Sequence, residues 1–313
     1  MLSRGFTVIA VFILTGSLNA SPIKLGLNWK AEPQFGGFYS AEERGLFKAA
    51  GLDVKILEGG SGTPTVQMLS AGQVDYAVVS ADEIILARDR GSADLVAIFA
   101  SYQTNPQCIL THAERAYKNL AELFADPKGL LLWQAGLPYA QFLKKTLAPM
   151  NVRTAPYSGG LANFQHDPLA AQQGFAASEP IVAQREKIAT KVFLVADVGY
   201  DPYTTVVATK RSRLTQHPEE VLKVVKAVRE GWRKYLEDPS STNRVMHALN
   251  KTIDLDTLNA SAQAQVKFIR TSEAEKNGLG WMSETRWKTL AQQLHDIKLI
   301  QSKPVAKDLF QNL

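Results

Sequence analysis

The sequence predicts an α/β protein made of two units of parallel βαβ type and closed by a purely helical tail. Three observations predict it. Short β-rich runs alternate with single helical patterns from Ile23 onward, the series restarts after Asn105-Pro106, and strand patterns stop beyond Lys210. A chain of 313 residues also exceeds the common domain size, which makes two units the default expectation.

Residues 1–20 read as a secretory signal peptide. Arg4 supplies a positive charge, FTVIAVFIL from Phe6 to Leu14 is a short apolar stretch, and TGSLNA ends in small residues around Ala20. That stretch is too short to span a bilayer, and no later stretch approaches the roughly 18 uninterrupted apolar residues a membrane helix needs. Cleavage after Ala20 would leave residues 21–313. No cysteine stands at the cleavage position to carry a lipid, so the expected location is the free periplasm of a Gram-negative cell.

The first unit runs IKLGLN, a helix near Gly37 to Arg44, LDVKIL, a helix near Thr65 to Ala71, DYAVVS, a helix near Asp82 to Arg88, and DLVAIFAS. The second contains CILTH, a helix near Asn119 to Phe124, GLLLW, a helix near Tyr139 to Leu147, then VRTAPY, GFAAS, KVFLVA and TTVVATK. The segment SGGLANFQHDP interrupts it. In the tail, Pro218 stands at a helix start with Glu219 and Glu220 in the first turn. Val221, Val225, Val228, Trp232 and Tyr235 follow at three- and four-residue spacing. Further helices are expected around 255–270 and 283–299.

Composition excludes several classes. Cys108 is the only cysteine, so neither an intrachain disulfide nor a cysteine-based zinc site can form, and it reads as a small buried apolar residue. The net charge of +5 comes from interspersed residues and carries no nucleic-acid signature. The five histidines, His112, His166, His217, His247 and His295, show no metal-ligand spacing. No GxxxxGK[ST] pattern is present, so nucleotide hydrolysis is not supported.

In open α/β sheets ligands bind beyond the carboxyl ends of strands. Here those ends include Asn28-Trp29, Gly59 to Thr65, Ser80-Ala81-Asp82, Ser101-Tyr102-Gln103, Trp133-Gln134, Tyr157-Ser158, Ser178-Glu179 and Tyr200-Asp201-Tyr203. Most pair an aromatic or a carboxylate with a hydroxyl or an amide.

Three stretches, NWKAEPQFGGFYSAEERGLFKAAGLDV, LSAGQVDYAVVSADEIILAR and QQGFAASEP, are joined by GYDPYTTVVATK before the helical tail. In this order and spacing the chain resembles the periplasmic solute-binding proteins of the thiamine-pyrimidine, riboflavin and sulfonate type that serve ABC importers. The first stretch is similar to the opening of the branch that binds thiamine pyrimidines. One departure is KGLLLWQAG, which places Trp133 where the family usually has a small residue.

The resemblance implies a type II periplasmic binding-protein fold, with two lobes, a ligand cleft between them and a C-terminal helical wrap. Crossovers are expected at Asn105-Pro106 and around Lys210. Residues 21–106 plus 211–313 then form lobe 1 and residues 107–210 form lobe 2. It also implies a non-catalytic, monomeric binding component without cofactor or metal. Its partners would be a small-molecule ligand and an inner-membrane ABC permease, with no nucleic acid. A flat heterocycle such as a thiamine pyrimidine precursor is the leading ligand. Riboflavin and an organosulfonate or nitrate-type anion are alternatives, as is an enzyme resembling the eukaryotic pyrimidine synthase. That enzyme needs a clustered-cysteine motif that is lacking here.

A heterocycle site needs aromatic faces and a few convergent polar groups. Trp29, Tyr39 and Trp133 are the stacking candidates and Phe35 a wall; for each the other reading is core. Ser61 and Thr63 in GGSGTPTV sit beside free N–H groups, or else the stretch is simply a capped turn. Glu179 follows a strand and precedes Pro180. The resemblance implies that it faces the cleft, as an acidic residue in this motif does in the family branch; there it can accept hydrogen bonds from an amine-bearing ring, or else serve the helix dipole. Ser80, Asp82, Tyr102, Tyr157 and Tyr203 complete the candidates, Asp82 with capping as its other reading.

Overall fold

The computed structural model describes residues 21–91 and 94–313; the expected signal peptide lies outside the described residues. Among the described residues, ten strands form two five-stranded sheets. The first sheet has the order β2-β1-β3-β10-β4, with β1 Ile23–Gly26, β2 Val54–Leu57, β3 Tyr76–Val79, β4 Leu95–Tyr102 and β10 Thr204–Lys210. The second has the order β7-β6-β8-β5-β9, with β5 Gln107–His112, β6 Leu130–Leu132, β7 Arg153–Ala155, β8 Ala170–Phe175 and β9 Thr190–Leu194. Each sheet belongs to one lobe.

The expected parallel βαβ units are present: β1 pairs in parallel with β2 and β3, and β6 with β7 and β8. Each sheet also holds one antiparallel strand that the sequence reading did not foresee. These are β10, which pairs with β3 and β4, and β5, which pairs with β8 and β9. Both are the first strand after a crossover. A chain that leaves one sheet at its carboxyl end and enters the other sheet directly must run against its new neighbours.

The return crossover is a correction. Thr204–Lys210 lies in the first sheet, so the chain comes back between Val195 and Tyr203 and not around Lys210. TTVVATK is a short β-branched run of the kind found in either sheet, and only its register, Thr204 opposite Tyr102 through Lys210 opposite Leu95, assigns it. The strand expected at GFAAS is displaced in a similar way. It starts at Ala170 and ends at Phe175, because the polar pair Gln172-Gln173 hides its true beginning from an apolar pattern.

Beyond β10 the chain is helical. Helix Pro218–Glu237 buries Val221, Val225, Val228, Trp232 and Tyr235, the face expected from their spacing, against helix Gly36–Glu43. Near the C-terminus the Ala97 N–H donates to the Leu309 carbonyl at 2.9 Å, and the Gln311 N–H donates to the Ala97 carbonyl at 2.8 Å. The tail thereby covers the edge of β4. Among the described residues no helix is long and apolar enough to cross a membrane.

Candidate functional site

A cavity of about 240 Å³ lies between the lobes, at the carboxyl ends of β1, β3, β6 and β8. Its first-lobe wall begins with the loop after β1. Asn28, Trp29, Glu32, Gln34 and Phe35 all face it. The C-terminal helices hold this loop in place. Asn250 Nδ2 donates to the Ala31 carbonyl at 3.3 Å, Gln265 Nε2 donates to the Pro33 carbonyl at 3.0 Å, and the Ala31 N–H donates to Glu58 Oε1 at 2.8 Å. The Trp29 indole N–H donates to Glu32 Oε1 at 3.1 Å and so fixes the ring plane.

The second-lobe wall carries Glu179 at the start of helix Glu179–Arg185. Its carboxylate accepts the Tyr157 hydroxyl at 2.9 Å and the Phe175 N–H at 2.7 Å. Gly174 makes the room: a Cβ there would come within 2.9 Å of Glu179 Oε2. Beside it Gln173 Oε1 accepts the Gln134 N–H at 2.5 Å and the Tyr139 hydroxyl at 2.8 Å. Gln173 Nε2 in turn donates to Gln134 Oε1 at 2.9 Å. This network orients a polar wall on β8.

Asp82 and Glu83 open helix Ala81–Asp89 at the end of β3. Asp82 accepts from the Ser80 and Tyr200 hydroxyls, while Glu83 Oε2 accepts the Ser80 N–H at 2.8 Å. Asp82 lies on the cavity wall in the first turn of this helix, and the cap is formed by Ser80 and Glu83 instead of Asp82.

Burial pushes all four carboxyls upward. Glu32 rises to about 8, through burial first and then the nearby charge of Glu179. Glu83 rises to about 7 through burial and the charge of Asp82. Burial also raises Asp82 and Glu179, partly offset by the hydrogen bonds each accepts.

Of the residues expected from sequence, the structure brings Trp29, Phe35, Thr63, Ser80, Asp82, Tyr157 and Glu179 together around this cavity. Others do not reach it. Tyr39 is 2 % exposed and Trp133 1 % exposed, both packed in hydrophobic core. Trp133 lies edge-on to Phe124, with ring centroids 5.6 Å apart, and to Tyr139, at 6.4 Å. The Tyr102 hydroxyl donates to Gln265 at 2.6 Å, and the Tyr203 hydroxyl accepts the Ser283 N–H at 2.8 Å, so both are spent on internal packing. Ser61 is exposed at its turn and lies off the wall, and the Thr63 hydroxyl accepts the Gly60 N–H at 2.8 Å, which closes the glycine-rich turn on itself.

Glu32, Glu83, Tyr139, Gln173 and Thr204 were not among the candidates, and Gln134 was named only within a strand end, yet all line the cavity. For Gln134 the signal was present: strand alternation sends Trp133 into the core and the next residue into the cleft. A glutamine pair inside a β-run marks Gln173 in the same way. Among the described residues, no group of three or more His, Cys, Asp and Glu is arranged to hold a metal ion.

Comparison with known proteins agrees with this architecture. The chain is 19 % identical over 301 residues to the formylaminopyrimidine-binding protein of Halalkalibacterium halodurans, covering 93 % of this chain and 90 % of that protein. The periplasmic aliphatic sulphonate-binding protein SsuA of Escherichia coli superposes with a TM-score of 0.67 at 14 % identity, over 94 % of each chain. The periplasmic nitrate-binding protein NrtA of Synechocystis gives 0.68 at 12 % identity, over 94 % of this chain and 86 % of that one. These likenesses establish the periplasmic binding-protein fold. The NMT1/THI5-like family model matches residues 32–242, two thirds of the sequence, and the chain belongs to that family.

Proposed function

We propose that this protein is the substrate-binding component of an ABC importer and captures a small, flat, amine-bearing heterocycle of the thiamine-pyrimidine class by closure of its lobes. The observation that carries the reading is the pairing across the cleft of Glu32 and Trp29 from one lobe with Glu179 and Tyr157 from the other. An indole offers a face for a ring, and carboxylates accept N–H donors from its edge. The similarity to a protein named for binding formylaminopyrimidine supports the same ligand class. Export to the periplasm and delivery to a membrane permease complete the proposal.

Size and charge weigh against the alternatives. A cavity of about 240 Å³ suits one small ring system better than a fused flavin carrying a side chain. Its described lining has no Lys, Arg or His to receive a sulfonate or nitrate.

A thermal-melt panel on residues 21–313 tests the proposal. Saturation at a hundred times the dissociation constant adds about 2.7 kcal/mol, worth roughly 2–4 °C of melting point per kcal/mol. Aminopyrimidines are expected to raise the melting point, with riboflavin, taurine, an alkyl sulfonate and nitrate inert. A shift with an anion and none with aminopyrimidines would overturn the reading.

A further inference from the structure

Glu32, Asp82, Glu83 and Glu179 line one cavity, and every hydrogen-bond partner they have in the structure is neutral. These are an indole, backbone N–H groups, and serine and tyrosine hydroxyls. No ion pair to any of the four occurs among the described residues. Titratable groups close enough to influence Glu32 and Glu179 include Glu58, Tyr157, Tyr139, Cys108 and Lys30. Lys30 is the one cation in that set, and it is exposed and off the cavity wall.

A second observation is independent of the acids. Thr204, 2 % exposed at the head of β10, belongs to the lining of the same cavity, and its buried hydroxyl has no hydrogen-bond partner. Native structures rarely leave such a group unpaired unless a ligand or an ordered water meets it.

Resting on the heterocycle reading above, we infer that the ligand enters this site as a cation, a flat ring with delocalised positive charge and N–H donors of the amidinium or protonated aminopyrimidine type. Buried carboxylates are ordinarily paired, and here the ligand supplies the counter-charge that the protein withholds. An amidinium edge matches a carboxylate through two parallel hydrogen bonds, and the face of Trp29 attracts a cation. In the ligand-free protein, burial and the charge of a neighbouring acid favour the protonated forms of Glu32 and Glu83. Arrival of the cation lets a carboxyl ionise, its proton leaves to solvent, and the net charge of the cavity is conserved.

Benzamidinium and benzamide, two flat probes of nearly the same shape, separate charge from shape. Calorimetry at pH 7 on residues 21–313 is expected to show benzamidinium bound at least about ten-fold more tightly, a difference of about 1.4 kcal/mol. Proton release is expected to appear as a heat that changes with the buffer's ionisation enthalpy. The pair Glu32→Gln and Glu179→Gln should bring the ratio to near unity while the circular dichroism spectrum is unchanged. Equal affinities, a preference for benzamide, or no binding of either probe overturns the inference. If aminopyrimidines bind but benzamidinium does not, the cation inference fails and the heterocycle reading stands. Benzamidinium binding without any aminopyrimidine response keeps the cation and removes the pyrimidine.

Discussion

Glu179 shows how neighbours hold a carboxyl group in place on the cavity wall. The Tyr157 hydroxyl and the Phe175 N–H each take one carboxylate oxygen, and Gly174 leaves the space in which the group turns. Each oxygen keeps a lone pair for the cleft. Glu179→Gln is therefore expected to weaken an amine-bearing ligand by roughly 1.5–3 kcal/mol, the scale of a hydrogen bond to a charged group, with the melting point of the ligand-free protein not lowered. Unchanged affinity in a calorimetric titration would remove Glu179 from the site. The motif ASEP made this residue legible, because a carboxylate between a strand end and a proline-led helix start has few places to point. Glu32 carried no such mark. Its position on the wall depends on Asn250 and Gln265 pinning the loop from helices more than 200 residues away in sequence, and local pattern cannot report contacts of that range.

Among the helices, the glycines of FGGFY serve a close crossing. Gly36 and Gly37 face Tyr235 and Trp232 of helix Pro218–Glu237, with room for no Cβ on either. Gly231 completes the crossing: a Cβ there would stand 2.2 Å from the Gly37 carbonyl and 2.8 Å from the Ala41 Cβ. Of the aromatics between residues 29 and 39, Trp29 and Phe35 reach the cavity, whereas Phe38 and Tyr39 fill the core under the helix pair. Gly231→Ala is expected to cost about 1–3 kcal/mol or more, the usual range for overpacking a tight core. A urea titration should show a lower midpoint at unchanged slope, with ligand affinity retained. A variant as stable as the parent would mean that the helices can separate slightly without loss. Alternating β-runs and the amphipathic face of Pro218–Glu237 were legible in the sequence because each is a local period. The assignment of Thr204–Lys210 to the first sheet was not, since strand register is decided by partners distant in the chain.

At the scale of the whole molecule, an unpaired acidic cleft should leave its trace on stability. Glu32 is held near 8 and Glu83 near 7 in the folded chain, against an ordinary 4.5 for both. Between those values the native state binds more protons than the unfolded one, so unfolding becomes easier as pH rises from about 4.5 to about 8. Stability is then fullest below the unfolded value and is lost through the folded one. Asp126 and Asp254, both lowered chiefly by the hydrogen bonds they accept, act below the ordinary carboxylate range and leave this window untouched. Each pKa unit is worth about 1.4 kcal/mol, so the two acids together make the loss across the window large enough to read as a shift in melting point. Scanning calorimetry on ligand-free residues 21–313 is expected to give a melting point several degrees higher at pH 5 than at pH 8, with Glu32→Gln reducing the slope. A cationic ligand should flatten it further, because its charge stabilises the ionised acids that alkaline pH otherwise leaves facing one another. A melting point that stays level or climbs from pH 5 to pH 8 would mean that water or lobe opening solvates these carboxylates, and the cleft would then rest open in solution.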